Sequence, residues 1–223
     1  GTGWVTLTQV LNELQVNTDG PGFTPLNNQL NQLVLEAGLN VGVMHLTCLH
    51  TSCSLTINEN ADPRVLKDLA AWMNAMVPQD GSGPCGPDGH RRRYLHDDEG
   101  NDDMPAHIRT ALTTQTLSLS VNQGRLLLGT WQAVYLWEHR SSPHRRRVAC
   151  HLIGDHPERT SVPADRAARR GSRSALLQHR NGARLNDLVQ ARHVPEAWAE
   201  DGGIDTDVDL MIDRLHEVSD QLQ

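Results

Sequence analysis

From Trp4 to Val16 apolar and polar residues alternate loosely, which predicts a strand, and Asn17-Thr18-Asp19-Gly20-Pro21-Gly22 supplies the turn that ends it. The period then changes. Leu26, Leu30, Leu33 and Val34 recur on one helical face up to Ala37-Gly38, with Thr24 and Pro25 as the expected N-cap and first-turn proline. Val41 to Leu49 is apolar on both parities, so it reads as a central strand buried on both faces. Ser54–Asn58 predicts another strand, and Asp62-Pro63 opens a helix whose stripe is Val65, Leu66, Leu69, Trp72, Met73 and Met76, stopped by Pro78. Residues 79–93, with GSGPCGPDGHRRR among them, read as a mobile surface loop.

A polar stretch follows, ending in a short helix opened by Pro105. Leu117–Val121, Arg125–Gly129, Gln132–Trp137 and Arg145–Ile153 predict four strands, the first two joined by the tight turn Asn122-Gln123-Gly124. Short connections between strands favour an α+β fold: a mostly antiparallel sheet with two or three packed helices, ending near Asp155. The rest differs in kind. Residues 159–184 hold seven Arg against one Asp, whereas 185–223 hold two Arg against ten acids, so the arm is expected to fold back on itself or bridge to a neighbouring subunit. Val208, Met211, Ile212, Leu215, Val218 and Leu222 have helical spacing and predict a terminal amphipathic helix. The division is thus 1–155 for the α+β domain and 156–223 for an Arg-rich linker and an acidic, partly helical C-terminal arm.

With 223 residues, 38% of them hydrophobic, the chain can bury a sizeable core. A net charge of −7 argues against nucleic-acid binding, which needs a clustered basic surface. No apolar run reaches the roughly 18–20 residues of a membrane span, and no basic-then-apolar leader opens the chain, so a soluble cytoplasmic protein is expected. Cys48, Cys53, Cys85 and Cys150 form no CxxC pair and are expected as free thiols. Histidine is the anomaly, with 12 in the chain.

Position sorts those histidines. His90, His144, His156, His179 and His193 lie in polar or Arg-rich segments, and His216 lies off the last apolar stripe, so all six are expected in solvent. His45 shares a strand face with Val41 and Val43 and is expected to be buried and structural. His50 ends the apolar strand, His96 and His107 bracket the acidic run from Asp97 to Asp103, and His139 follows Glu138 at a strand end. Histidines from separate element boundaries can converge on a transition metal with an open position, while the acids orient the rings or bind Mg2+. Spacing leaves the alternative open, since no HxH or HxxxH pair occurs and structural histidines fit as well. Arg140 and the run Arg145 to Arg147 offer bidentate donors to phosphate, or face water on an edge strand.

Three blocks in order, HTSCSLTINENADP (50–63), YLHDDEGNDDMPAHI (94–108) and GRLLLGTWQAVYLWEHR (124–140), strongly resemble the YjbQ family, whose assigned activity is secondary thiamine-phosphate synthase. The resemblance runs from about residue 4 to 155; the insertion at 79–93 and the tail depart from it. It implies a homotrimer with pockets near subunit contacts and a transition metal, zinc being the usual suggestion, on His50, His96 and His107. It also implies catalytic roles for Glu59, Asp103, Glu138 and Arg140, and substrate contacts from Thr51, Ser52, Trp131, Gln132 and His139.

The implied reaction joins a pyrimidine diphosphate to a thiazole phosphate and expels pyrophosphate. It asks for a cation such as Mg2+ on the diphosphate, a donor such as Arg140 for phosphate and a stacking wall such as Trp131. A metal-dependent hydrolase with Glu59 or Glu138 as general base is a competing reading, and a non-catalytic trimer that binds a ligand or metal is a third.

Overall fold

The structure is a computed structural model that describes residues 7–156 together with 194 and 195. The chain runs β1 (Leu7–Thr18), β2 (Gly22–Pro25), α1 (Asn27–Ala37), β3 (Val41–Cys48), β4 (Cys53–Glu59), α2 (Pro63–Met76), β5 (Ser82–Cys85), β6 (Arg91–Arg93), α3 (Asp103–Leu112), β7 (Thr116–Asn122), β8 (Arg125–Leu126), β9 (Gln132–Glu138), β10 (His144–Asp155) and β11 (Val194–Pro195). One sheet has the order β1-β10-β3-β7-β8, a second β11-β2-β9-β4, and β5 pairs with β6. Every pairing between these strands is antiparallel, so the α+β expectation with three helices holds.

The two larger sheets close on one core. Met44, Leu46 and Cys48 of β3, Leu119 and Val121 of β7, and Val148, Cys150 and Leu152 of β10 meet Leu55 of β4 and Val134 and Leu136 of β9, with Leu30 and Val34 of α1. The opposite face of β9 carries Ala133, Tyr135 and Trp137, which with Phe23 pack against Leu66, Ala70 and Met73 of α2. Phe23 stacks on Trp137 with ring centroids 4.5 Å apart. Burying each such large side chain contributes roughly 1.5–3 kcal/mol. The strand covered on both faces is therefore β9, which lies between β2 and β4.

That corrects the expectation for β3. Only its Met44, Leu46 and Cys48 parity is covered, while Val41, Val43 and His45 lie on an exposed outer face, so His45 is an exposed residue bonded to Ser118 Oγ at 3.0 Å. A strand with valines on both parities looks doubly buried in sequence, but α1 and the second sheet lie on one side of it.

Thr24 and Pro25 are corrected too. They belong to β2, which pairs with β9, and the Leu26 N–H donates to Val134 O at 2.8 Å, so the chain stays extended and the helix starts at Asn27. By contrast, Asp62 does cap α2, its carboxylate accepting the Arg64 N–H at 2.9 Å, with Pro63 in the first turn. The turn between β7 and β8 has positive φ at both Gln123 (52°) and Gly124 (74°), the twist that a two-residue hairpin requires.

Residues 79–93, expected as a mobile surface loop, contain the β5–β6 hairpin. Arg145 to Arg147 lie on an interior strand rather than an edge, because β10 sits between β1 and β3. The helix expected over 208–222 and the charge-split segments on either side of residue 184 lie outside the described residues, apart from Val194–Pro195, which pair with Phe23 and Gly22. No helix among the described residues is long and apolar enough to cross a membrane.

Gly42 and Gly154 face each other where β3 meets β10. A Cβ on Gly42 would meet the Ile153 carbonyl and come within 2.8 Å of Gly154 Cα, with no flexible side chain to yield. Gly42→Ala is expected to cost about 1–3 kcal/mol, seen as a lower urea midpoint at unchanged slope.

Candidate metal centre

The acidic run folds into the entry of α3, and the helical repeat does the rest. Asp103 and His107 stand one turn apart on α3, and the preceding loop brings His96 across to them. One ligand atom from each of His96, Asp103 and His107 lies within 4.8 Å of the other two. His96 Nε2 is 2.5 Å from Asp103 Oδ2, and His107 Nε2 is 3.3 Å from the same oxygen. Asp103 is buried, while both rings reach solvent.

The other ring nitrogen of His107 settles its tautomer. Nδ1 lies 2.9 Å from the Thr51 carbonyl, which can only accept, so Nδ1 carries the proton. Nε2 is therefore the nitrogen that faces the Asp103 carboxylate, 3.3 Å away, and a proton on Nε2 or a cation between the two atoms would each satisfy that contact. Two imidazoles and one carboxylate, with a backbone carbonyl fixing one ring, suit a divalent transition metal with open positions.

Arg140 holds the carboxylates in place. Its NH1 donates to Asp103 Oδ1 at 2.5 Å, its Nε to Asp102 Oδ2 at 2.9 Å, and its NH2 to the Glu99 carbonyl at 3.1 Å. Burial alone would raise the Asp102 pKa, but the Ser141 N–H and Arg140 outweigh it and hold the carboxyl below its ordinary value. Arg140 is thus a positioning residue, committed to the acids rather than turned toward a phosphate.

The structure does not bring His50 to this cluster. Its Nε2 accepts the Arg147 N–H at 2.8 Å, and burial, with Arg146 and Arg147, lowers its pKa. Asp103, expected among the catalytic residues, takes the third place in the cluster. Thr51 contributes only a carbonyl, to His107, and Ser52 accepts from Arg146 NH2 at Oγ, 3.0 Å.

Both glutamates expected as bases are engaged in the scaffold. Glu59 Oε1 accepts the Ala61 and Asp62 N–H groups at 3.0 and 3.4 Å, bracing the entry to α2. Glu138 is wholly buried and forms a two-pronged ion pair with the buried Arg146, including Arg146 Nε to Oε2 at 2.6 Å, and also accepts from Thr18 Oγ1 at 2.9 Å. Burial works to lower the Arg146 pKa, and the bonds from Glu138 more than offset it, so the net shift is upward. Gln132 Oε1 accepts the Gly129 N–H at 2.8 Å and closes the turn before β9. Trp131 is about two-fifths exposed.

His139 is buried beneath Trp137, its Nε2 2.8 Å from Ser54 Oγ. Burial, reinforced by the charges of Arg109 and Arg146, pushes its pKa from 6.5 down to about 3. Between those values the unfolded chain binds a proton that the folded chain refuses, so the stability is present above pH 6.5 and is lost as pH falls toward 3. The expected loss is at most about 1.4 kcal/mol per pH unit from this group. Thermal melts from pH 7 to 4 should show it, and a His139→Gln variant should show a shallower pH slope.

Sequence spacing missed two pairs altogether. Arg146 with Glu138 is a buried ion pair across β9 and β10, and Cys48 lies with its Sγ 3.2 Å from that of Cys53, both thiols buried. Neither has a linear signature; the only clue was that Cys48 and Cys53 flank one short connection between strands. Beside the histidine cluster, between the β5–β6 hairpin and the 94–101 loop, lies a cavity of about 310 Å³ with His96 in its wall.

Comparison with known proteins agrees with this architecture. Over 142 residues the chain is 45% identical to UPF0047 protein sll1880 of Synechocystis, covering 64% of this chain and 90% of that protein. It is 38% identical over 143 residues to UPF0047 protein YjbQ of Escherichia coli O157:H7, covering 64% and 96%. A YbjQ-like protein of unknown function from Sulfolobus solfataricus P2 superposes with a TM-score of 0.58 at 17% identity, over 67% of this chain and all of that one, a likeness of fold. An uncharacterized conserved protein of the yjbq/upf0047 family from Clostridium acetobutylicum superposes with a TM-score of 0.51 at 29% identity, over 66% of this chain and 98% of that one. The family model described as UPF0047 protein YjbQ-like matches residues 12–155, which run from within β1 to the end of β10 and include all three helices, and the chain therefore belongs to the YjbQ-like UPF0047 family.

Proposed function

We propose that the protein is a metal-dependent enzyme whose centre is His96, Asp103 and His107, with zinc as the favoured metal. The observation that carries this reading is the convergence of one ligand atom from each of His96, Asp103 and His107 within 4.8 Å of one another, with His107 Nδ1 turned to the Thr51 carbonyl so that Nε2 faces the cluster. A divalent metal there would polarise a phosphoryl oxygen or a bound water. The protein's own residues would do the rest: Thr51 fixes the His107 ring, Arg140 fixes Asp103, and His96 borders the adjoining cavity.

The specific reaction we propose is thiamine-phosphate synthesis, with Mg2+ accompanying the diphosphate substrate. Its support is the three sequence blocks, the second of which supplies all three cluster residues and the third of which supplies Arg140. Hydrolysis through Glu138 is disfavoured, because Arg146 and Thr18 already hold that buried carboxylate, and Glu59 spends Oε1 on backbone N–H groups and is not one of the cluster residues. Incubation with both substrates should release pyrophosphate in a metal-dependent way; release from the pyrimidine diphosphate alone would overturn the synthase reading in favour of hydrolysis.

We further propose assembly with copies of itself, as a trimer, through the outer face of the five-stranded sheet. Leu7, Leu11, Val41, Val43 and Ile153 are each 44–70% exposed there, and Val43 and Ile153 are register partners. Val43→Glu is expected to shift the species seen in light scattering from trimer toward monomer with the fold retained. An unchanged mass would place the contact elsewhere.

A further inference from the structure

The insertion at 79–93 builds something. Its β5–β6 hairpin, with Ser82 opposite Arg93 and Cys85 opposite Arg91, forms one wall of the 310 Å³ cavity, and His96 stands in the other. Arg91, Arg92 and Arg93 all line that cavity, against the two carboxylates Asp80 and Asp97. Asp80 is already engaged, its Oδ1 accepting from Ser82 N at 2.9 Å and from Ser82 Oγ at 2.5 Å. Arg92 pairs loosely with Asp88 at 3.8 Å, and Arg91 donates to Ser82 Oγ at 2.7 Å and pairs loosely with Asp80 at 3.7 Å. Arg93 has no ion pair or side-chain hydrogen bond among the described residues.

Arg140, the residue expected to hold phosphate, is locked onto Asp102 and Asp103. Among the described residues, the guanidinium groups in the wall of the cavity beside the centre are those of the hairpin. We infer that the hairpin cavity is the subsite for a phosphate or diphosphate group of the substrate, gripped by Arg93 with help from Arg91, so that the adjoining part of the molecule is presented to His96 and His107. Guanidinium forks match the geometry of phosphoryl oxygens, and three exposed arginines on one wall concentrate positive charge there. The inference rests on the proposed metal centre only for the direction in which the substrate is presented.

Inorganic pyrophosphate is the probe. Calorimetric titration of the full chain at low salt should detect binding, and Arg93→Gln should weaken it about tenfold, with Arg91→Gln/Arg93→Gln weaker still. Circular dichroism on the same samples checks that these surface substitutions leave the fold intact, and elemental analysis reads their metal content. No binding by the wild type, or unchanged affinity in folded Arg93→Gln, overturns the subsite. Pyrophosphate that binds only through the metal would be lost in His107→Ala and unaffected by Arg93→Gln, which also overturns it. Arginine-dependent binding to protein that contains no metal would sustain the subsite and sink the metal centre instead.

Discussion

Glu138→Gln is expected to destabilise the protein by about 3–5 kcal/mol, the largest effect of any single substitution considered, because it strands the buried cation of Arg146. The two side chains are 0% and 4% exposed, and Glu138 also receives Thr18 Oγ1 and the Arg140 N–H. Removing the charge breaks several contacts at once. The strand ends β1, β9 and β10 all converge on that carboxylate, so urea unfolding should show a lower midpoint, and the melt should drop by many degrees. The double variant Glu138→Gln/Arg146→Met, which leaves no buried charge unpaired, should recover a substantial part of the loss. If Glu138→Gln instead folds as stably as the wild type but loses activity, Glu138 is a catalytic base and its scaffold role is refuted.

His107→Ala should strip the metal while sparing the fold. The His107 side chain is about one-third exposed and contributes to neither apolar cluster, so the melt of the metal-free protein should move little. Metal affinity should fall more than a hundredfold, since loss of a ligand exceeds the 10–100-fold usual for loss of a residue that orients one. Arg140→Lys, which keeps the charge but loses the fork on Asp102 and Asp103, should fall in that 10–100-fold range. His50→Ala is the discriminating control. It should retain the metal, because His50 Nε2 is occupied by the Arg147 N–H. Loss of metal in His50→Ala with retention in His107→Ala would overturn the ligand set.

Much of the candidate centre was legible in the linear chain. His96 and His107 stood out because they bracket an acidic run, and Asp103 lay inside it. Which acid would join them was not legible, because it depends on the phase of α3: with the helix beginning at Asp103, only Asp103 falls one turn before His107 and faces it. His50 misled because it shares parity with Met44, Leu46 and Cys48, yet β3 ends at Cys48 and the parity ends with it. Arg140 looked like a phosphate ligand for as long as its partners in the 99–103 loop, some 40 residues earlier, were invisible.

Local chemistry sufficed for the elements whose signals are local: the Asp62-Pro63 start of α2, the Gln123-Gly124 turn, the alternating strands and the α+β class that follows from them. The histidines' candidacy as ligands was equally a property of the chain. Long-range pairing decided the rest. Strand order placed β10 inside its sheet, and so buried Arg146 against Glu138; the ladder with β9 drew Thr24 and Pro25 into a strand; and the hairpin turned a segment ending in three arginines into a cavity wall. The physical reason is the same in each case. Burial and ion pairing depend on which segment lies opposite, and a pattern of residues along one segment carries no information about its partner.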